Sequence, residues 1–156
     1  MKVEETGMND FSIRAANEYD VKELTDMDRI CFDLPWSEQS FFEEITGNEV
    51  ARYIVAESDG KIVGYVGIWI IHDEGHITNI AVHPDFRRRG IAKALFYAIT
   101  QISESAGVTA YTLEARVSNE SAISLYKGLG FAEYGIRKNY YDDNNEDAVI
   151  MWHESQ

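Results

Sequence analysis

The spacing of apolar residues along the chain predicts seven strands and four helices. Alternating or continuously apolar runs, which are typical of strands, cover residues 11–15, 52–57, 62–71, 76–82, 110–117, 132–139 and 148–153. Apolar residues at helical spacing cover residues 20–32, 37–47, 90–107 and 119–129. The order is one strand, two helices, three strands, a helix, a strand, a helix and two strands, which predicts a mixed α/β domain.

Individual residues suggest how these elements begin and which faces they bury. Asp20 and Ser37 are typical N-terminal caps for the first two helices. In the second helix, Phe41 and Phe42 are both expected to point inward. The run 62–71 is apolar on both faces, which predicts a central strand of the sheet.

The length and composition of the chain indicate a single globular domain. Its 156 residues are 45% hydrophobic and 26% charged, which is ordinary for a protein with a substantial core. Residues 1–10 are polar and acidic and are expected to form a disordered tail, with the domain over residues 11–156. The sequence has no apolar run long enough for a membrane span or a signal peptide, and Cys31 has no intrachain disulfide partner. These features predict a cytoplasmic protein with no membrane partner.

The net charge of −13 bears on the class of partner. Nucleic-acid binding needs a basic surface, so this charge argues against nucleic acid. A cationic acceptor such as an amine or a basic peptide fits better, although solubility alone explains the charge equally well. Within this acidic chain, Lys93 and the three arginines 87–89 form a basic exception.

The basic exception lies where a predicted strand turns into a predicted helix, in the segment 80–92. Helix N-termini present unpaired N–H groups and a partial positive charge, so they bind phosphates. Gly90 allows a ligand to approach the backbone closely, and the arginines add charge. An ordinary basic turn has the same appearance, and no Gly-Lys-Ser/Thr follows that would indicate a Walker loop. The segment is therefore a candidate phosphate site.

The same segment resembles a known family. Arg87-Arg88-Arg89-Gly90-Ile91-Ala92 matches the R/Q-x-x-G-x-G/A motif of the Gcn5-related N-acetyltransferases (GNAT), with the strand and the helix in the expected places. The resemblance implies the GNAT acyltransferase fold, a central mixed sheet of about seven strands with helices on both faces. It also implies acetyl-CoA as the acetyl-donor co-substrate, with no metal.

The resemblance assigns roles to the backbone of this segment. In the family, amides of the loop 87–92 hold the coenzyme A pyrophosphate. The preceding strand, here Ile80-Ala81-Val82, hydrogen-bonds the pantetheine arm and helps to polarise the thioester carbonyl. That carbonyl develops negative charge during transfer, which backbone N–H groups can stabilise as an oxyanion hole.

Three further segments resemble one branch of the family, the RimI-like ribosomal-protein alanine N-acetyltransferases. Residues 113–131 (LEARVSNESAISLYKGLGF) strongly resemble the stretch L-E-V-R-x-S-N-x-x-A-I-x-L-Y-x-x-x-G-F of that branch. Residues 31–37 (CFDLPWS) and 137–141 (RKNYY) resemble it as well. The resemblance implies that the acceptor is a protein N-terminus, with an alanine N-terminus of a ribosomal protein as the family substrate.

The branch assigns the general base to Glu114 and the general acid to Tyr126. A strand carboxylate near an apolar core can have a raised pKa, which suits a base that acts near neutrality. By strand alternation, Glu114 could equally be an exposed residue paired with Arg116. Tyr126 can protonate a thiolate leaving group, but a core tyrosine on the same helix is the simpler interpretation of its spacing.

Other candidates concern the two substrates. Asn119 is a typical helix cap, and in the family this position also contacts the pantetheine arm. Tyr140 and Tyr141 are candidates to line the peptide groove with Leu34 and Trp36, although paired tyrosines are also ordinary strand residues.

The chain departs from the branch in two places. Asp142 and the acidic loop 142–147 stand where the branch often has proline after its paired tyrosines, which puts the peptide preference in doubt. Residue 115 is alanine where valine is more usual.

Two patterns invite other chemistry. His72 and His76 stand four residues apart with carboxylates between them, but a zinc protease needs H-E-x-x-H on a helix, and this segment is predicted as a turn between strands. Metal binding is therefore not expected. Cys31 is not expected to be a nucleophile, because direct attack by an amine requires no acyl-enzyme.

Two alternative functions remain open at this point. The chain could acetylate a small amine or a lysine side chain, since nothing in its composition excludes either acceptor. It could also be a non-catalytic acetyl-CoA sensor, although Glu114 and Tyr126 argue against that interpretation.

Overall fold

The computed structural model describes residues 2–5 and 11–155, and for residues 2–5 it describes the backbone only. Eight strands form one sheet: β1 (Lys2–Glu5), β2 (Phe11–Ala15), β3 (Ala51–Ser58), β4 (Lys61–Ile71), β5 (Glu74–Val82), β6 (Ala110–Arg116), β7 (Ala132–Arg137) and β8 (Ala148–Glu154). Their order in the sheet is β1-β2-β3-β4-β5-β6-β8-β7. All neighbours are antiparallel except β5 and β6, which are parallel.

Four α-helices cover the two faces of the sheet: α1 (Val21–Cys31), α2 (Glu38–Thr46), α3 (Ile91–Ser105) and α4 (Glu120–Gly128). Helices α1 and α2 pack on one face, and α3 and α4 pack on the other. The structure confirms the predicted mixed α/β domain, because β2 to β8 and the four helices are the predicted elements in the predicted order. Among the described residues, no helix combines the length and the apolarity that crossing a membrane requires.

The expected disordered tail over residues 1–10 is wrong for part of its length. Lys2–Glu5 form β1, which pairs antiparallel with β2 in the register Lys2↔Arg14 to Glu5↔Phe11. Residues 1 and 6–10 of that expectation lie outside the described residues. Composition did not reveal this strand, because a strand added at the edge of a sheet is held by backbone hydrogen bonds and needs no apolar pattern of its own.

Two local expectations also need correction. Asp20 makes no capping bond to α1, because its two carboxylate oxygens accept hydrogen bonds from the Arg14 guanidinium at 2.7 and 2.8 Å. Ser37 does cap α2, accepting from the Ser40 amide at 3.1 Å. Phe41 is fully buried, but Phe42 is 47% exposed. Successive residues of a helix point about 100° apart, and the orientation of α2 turns only Phe41 to the core.

Two cores lie on opposite faces of the sheet. The α3-side core contains mostly aliphatic side chains from the sheet and α3, including Leu95 and Ile99, which have no exposed surface. The α1-side core is smaller and richer in aromatic rings, with Phe41, Tyr53 and Tyr65. Strand β4 contributes to both cores, as the run 62–71 predicted for a central strand.

The sheet opens between β5 and β6. These strands pair only at their first residues, Glu74↔Ala110, Gly75↔Tyr111 and His76↔Thr112. A bulge in β5 lies just beyond, since Gly67 pairs with Asn79 and Ile68 with Ile77, which leaves Thr78 as the extra residue. The remainder of β5 therefore has one unpaired edge, and a split opens between the two strands at the centre of the sheet.

Candidate active site

The unpaired edge of β5 offers backbone groups to a ligand in the split. The His83 amide donates to Val63 of the neighbouring strand at 2.8 Å. Alternate residues of a strand direct their backbone groups to the same side, so Ile80 and Val82 direct their N–H groups to the open edge. The side chains of Ile80 and Ala81 are buried in the two cores. The candidate contribution of residues 80–82 is therefore their backbone.

The loop after β5 forms a cationic turn at the start of α3. Arg88 has a φ of 64° and Gly90 a φ of 79°, both in the left-handed region. A Cβ built on Gly90 would meet no atom within 4 Å, so the backbone there faces open space. Helix α3 starts at Ile91, and the Ala94 amide makes its bond to the Gly90 carbonyl. The amides of residues 91–93 precede that first bond, which leaves them available to an anion.

The arginine side chains of this turn are exposed, and two of them also contact the protein. Arg87 donates from Nε to the Val82 carbonyl at 3.1 Å. The guanidinium of Arg89 lies 5.0 Å from the centre of the Phe86 ring. The turn thus combines unpaired helix amides, an open glycine and three cations, which is the chemistry expected of a phosphate site.

Glu114 faces the α1 side of the split. Leu113 and Ala115, its neighbours on β6, belong to the α3-side core, so alternation turns Glu114 to the opposite face. Its Oε1 lies 2.9 Å from Nε2 of His76 and accepts from the Tyr140 hydroxyl at 3.0 Å. The carboxylate side chain is 12% exposed. It is therefore largely enclosed but reachable from the split.

The expectation that the pKa of Glu114 is raised is wrong, because the pKa is lowered. The hydrogen bond with His76 lowers the pKa of Glu114 below its usual range, and the Tyr140 hydroxyl and the Arg137 charge act in the same sense. Burial acts the other way but is outweighed. Glu114 is therefore a carboxylate at neutral pH, which can accept a proton.

The alternative pairing of Glu114 with Arg116 is also wrong. Arg116 instead binds Asp143 at 3.0 Å and Glu146 at 3.3 Å in the acidic loop. Alternation does place both side chains on one face of β6, but the two long side chains diverge to different partners.

Tyr126 lies on α4, packed against the α3-side core. Its ring meets Phe131 edge-on with the centroids 6.1 Å apart, so the simpler interpretation as a core residue is partly right. The side chain is only half-buried. Burial raises the pKa of Tyr126 to about 12, so the phenol stays protonated at neutral pH and can donate a hydrogen bond. Tyr126 and Glu114 are thus associated with opposite faces of the split sheet.

Two of the residues expected around the acceptor lie on the α1 side: Tyr140 contacts Glu114, and Trp36 contacts Phe41. Tyr140 and Tyr141 do not lie on a strand, because β7 ends at Arg137 and the two tyrosines follow in the next loop. Leu34 is 63% exposed, and the Trp36 ring packs 5.4 Å from Phe41.

Asn119, a candidate on the cofactor side, caps α4 as expected and accepts from the Ala122 amide at 3.2 Å.

The sequence interpretation missed the contribution of His76. The two histidines were considered only as a metal pattern, which was rejected, and no other role was predicted for His76. His72 lies in the turn, and His76 lies on β5 beside Glu114. Within the described part of the chain, no group of three His, Cys, Asp or Glu side chains could hold a metal ion. His76 lies on β5 two residues before the bulge. Its position next to Glu114 depends on the parallel pairing of β5 with β6, which the sequence did not show.

A second polar group lies beneath the acceptor side. Asp28, which is 1% exposed, accepts from the Tyr65 hydroxyl at 2.6 Å and from the Trp36 amide at 2.8 Å. Asn79 donates to the Tyr65 oxygen at 2.8 Å. This network ties the loop before α2 to the open part of β5. Burial raises the pKa of Asp28.

Comparisons with known proteins identify the family of this chain. The model of the acetyltransferase (GNAT) family matches residues 21–131. The ribosomal protein bS18-alanine N-acetyltransferase of Salmonella typhimurium is 41% identical over 121 residues, which cover 75% of this chain and 79% of that protein. A Bacillus subtilis protein provisionally named for the same activity is 42% identical over 133 residues, covering 85% of this chain and 88% of its own.

Solved structures are similar as well. The crystal structure of the ribosomal-protein-S18-alanine N-acetyltransferase from Escherichia coli has a TM-score of 0.82 and 34% identity, covering 92% of this chain and 93% of that chain. Ard1 from Thermoplasma volcanium shares the fold, with a TM-score of 0.84 at 24% identity over 94% of this chain and 98% of its own. The chain therefore belongs to the acetyltransferase (GNAT) family and is an acyltransferase.

Proposed function

We propose that the protein transfers the acetyl group of acetyl-CoA to the α-amine of a protein N-terminus, and that this acceptor is the alanine N-terminus of a ribosomal protein. The observation that carries the proposal is Glu114, an ionised carboxylate enclosed at the split and held by His76 and Tyr140. The bS18-alanine N-acetyltransferases at 41% identity support the acceptor class. The cytoplasmic location predicted from the sequence agrees with a ribosomal acceptor.

The residues around the split fit acetyl-CoA. The open glycine turn, the first amides of α3 and Arg87–Arg89 suit the pyrophosphate, which carries negative charge. The free edge of β5 at residues 80–82 suits the amide-bearing pantetheine arm, and Asn119 lies at the N-terminus of α4. When bound, acetyl-CoA supplies an acyl group activated as a thioester.

Glu114 receives the proton of the acceptor amine. An α-amino group has a pKa of about 8, so much of it is protonated at neutral pH and must lose a proton before it can attack. A base with a low pKa has a small driving force for taking that proton, so position matters more than basicity here. His76 and Tyr140 hold the same carboxylate oxygen in position, and the proton taken from the amine then passes to solvent.

Tyr126 stabilises the departing sulfur on the other side of the split. A phenol with a pKa of about 12 does not fully protonate a thiolate whose pKa is about 8.5, since that transfer is uphill. Its larger contribution is a hydrogen bond to the developing charge, which strengthens in the transition state. Tyr126 is thus a hydrogen-bond donor first, with proton transfer completed from solvent.

The acceptor enters from the α1 side. Tyr140 reaches Glu114 through its hydroxyl, and we assign Leu34, Trp36 and Tyr141 to the acceptor with it, because apolar surface and aromatic rings can orient a peptide backbone. The base and the sulfur-side donor therefore act from opposite faces, as direct attack by an amine on a thioester in the split requires.

The test is release of free thiol from acetyl-CoA with matched peptides that contain a lysine. One peptide begins with free alanine, and the other has the same sequence with a blocked N-terminus. Thiol release with the free peptide alone is the expected result. Equal release with both peptides would show that the acceptor is a lysine side chain. No release with either peptide would contradict the proposal and favour a small amine as acceptor or a sensor function.

A further inference from the structure

The loop after β7 folds back onto the end of β6. Residues 138–147, here the return loop, carry Tyr140 and Tyr141 and the acidic run. Two backbone bonds shape it: the Tyr141 amide donates to Glu146 at 3.2 Å, and the Asn145 amide donates to Tyr141 at 2.8 Å. Asn139 and Asn145 have positive φ values of 53° and 57°. The return loop is thus a compact turn with a defined inner surface.

Arg116 fills that inner surface. Its guanidinium donates to Asp143 at 3.0 Å, to Asn144 at 3.2 Å and to Glu146 at 3.3 Å. It also lies 4.0 Å from the centre of the Tyr141 ring. A planar guanidinium can bind several acceptors and stack on a ring at once, which an ammonium group cannot do.

Further bonds join the return loop to the segment that follows β6. The second carboxylate oxygen of Glu146 accepts from the Ser118 amide at 2.9 Å. The Val117 amide donates to the Asp147 carbonyl at 3.2 Å, and the Asp147 side chain accepts from the Asn139 amide at 2.9 Å. Arg116 therefore stands at the centre of a ring of contacts that closes the loop against β6.

This placement connects Arg116 to Glu114. Tyr140 lies between Asn139 and Tyr141, both of which are held within the return loop, and its hydroxyl donates to Glu114. Arg116 and Glu114 are two residues apart on one face of β6. One strand end thus carries both the candidate base and the residue that stacks on Tyr141, the neighbour of the base's tyrosine partner.

The contacts of Arg116 also change the charge that an acceptor would meet. The single positive charge of the guanidinium offsets one of the two negative charges of Asp143 and Glu146. Asp142 makes no hydrogen bond or ion pair with other described residues. The acidic run therefore holds the loop against Arg116 and still leaves the loop with a net negative charge.

We propose that Arg116 is a positioning residue for the acceptor: by closing the return loop, it keeps Tyr140 against Glu114 and maintains the acceptor side of the split. This proposal rests on the proposed function for the identity of the acceptor. The cofactor turn lies at the start of α3 and shares no contact with Arg116. Asn119, the candidate cofactor residue near Arg116, meets only its backbone carbonyl, at 2.9 Å. A change of the Arg116 side chain should therefore act on acceptor use and leave acetyl-CoA binding unchanged.

The test compares Arg116→Gln with Arg116→Lys and with a matched control, Arg14→Gln. Arg14 also bridges two carboxylates, Asp20 and Glu57, both at 2.7 Å, but it lies on β2. For Arg116→Gln we expect the KM of the alanine peptide to rise roughly tenfold, with the KM of acetyl-CoA within about twofold of wild type. Arg116→Lys keeps the charge without the planar fork, so we expect partial rescue. Arg14→Gln should lower the Tm without separating the two KM values.

Hydrogen exchange of the protein without substrates gives a second readout that requires no activity. In Arg116→Gln, the amides of residues 139–145 should exchange faster while those of β3 and β4 are unchanged. Unchanged exchange of the loop, or equal increases in both KM values, would overturn the proposal. If the wild-type enzyme fails to acetylate the peptide, the proposed function is wrong, and the exchange of the loop still decides whether Arg116 closes it.

Discussion

The two faces of the sheet are built from different side chains. On the α3 side, aliphatic residues such as Leu95 and Ile99 fill the core. On the α1 side, aromatic side chains bond two carboxylates: buried Asp28 is bonded to Tyr65, and half-buried Glu44 is bonded to Tyr53 and Trp69. Every buried side-chain nitrogen or oxygen in the described chain has a hydrogen-bond partner.

This difference separates stability from positioning. An aliphatic core contributes free energy in proportion to the area that it removes from water, and this contribution does not depend on the orientation of the side chains. A polar network contributes little net stability per bond, but it allows only one arrangement of its members. Glu114 and His76 lie on the polar face, where hydrogen bonds fix the orientation of each side chain.

The sharpest test of this comparison is Glu114→Gln. The amide keeps the size of the side chain but cannot take a proton, so we expect turnover to fall by about 10² to 10⁴. The dissociation constant of acetyl-CoA and the Tm should be almost unchanged. Glu133→Gln is the control, because Glu133 is an exposed carboxylate on β7 that pairs with Lys127. Equal loss of turnover and of acetyl-CoA binding would remove Glu114 from the reaction.

The aliphatic face is tested by Leu95→Ala. Leu95 has no exposed surface, so its truncation should lower the free energy of unfolding by about 2–5 kcal/mol, measured by denaturant titration. Leu95→Met, which conserves volume, should cost less than about 1.5 kcal/mol. At temperatures where both variants are folded, kcat should remain close to that of wild type. A large fall in kcat of the folded protein would contradict the separation of the two faces.

The polar face is tested by Asp28→Asn. Asp28 accepts two hydrogen bonds, one on each carboxylate oxygen, whereas asparagine offers one acceptor and turns its NH₂ toward a donor. We expect a loss of about 1–3 kcal/mol in the free energy of unfolding. The KM of the peptide should also rise, because the Trp36 amide loses its anchor. Asp26→Asn on the same helix is the control, since Asp26 is exposed; the same loss there would show that the network is not responsible.

The smallest effect is expected from His76→Asn, which is measured as a shift in the pH profile of kcat/KM. Three groups face Glu114 and lower its pKa: His76 from β5, Tyr140 from the return loop and Arg137 from β7. Asparagine at position 76 is too short to keep the bond, so the pKa of Glu114 should rise. The base acts when ionised, and the acidic limb of kcat/KM should therefore move to higher pH. His72→Asn in the turn should leave the profile in place, and an unmoved limb in His76→Asn would contradict the role of His76.

Local patterns in the sequence predicted much of the fold and part of the site. The apolar stripe of α3 gave its place on the sheet, and Ser37 and Asn119 are caps as expected. The turn at Gly90 was predicted because a strand end, a glycine and a helix start are adjacent in the sequence. Such signals depend on neighbouring residues and the periodicity of one element, so they can be read along the chain.

Other expectations failed where a contact outside the local pattern, or the orientation of a whole helix, decides the outcome. Asp20 was expected to cap α1, but Arg14 provides a stronger partner. Phe42 was expected inward, yet only Phe41 faces the core. The pKa of Glu114 was expected to be raised by burial, whereas hydrogen bonding by His76 lowers it. In the first and last cases, a partner that the local pattern does not show decides the outcome.

The sequence by itself determined the order of the elements and the cationic turn before α3, and the resemblance of residues 113–131 to a known branch made Glu114 and Tyr126 candidates, because each of these signals lies in a short stretch of chain. Tertiary structure alone decided that β5 and β6 separate after three pairs, that His76 meets Glu114 across 38 residues, and that Arg116 meets Asp143 across 27. These contacts depend on strand pairing and on which of several available partners lies within hydrogen-bond distance. Neither the pairing nor those distances are encoded in any local pattern of residues.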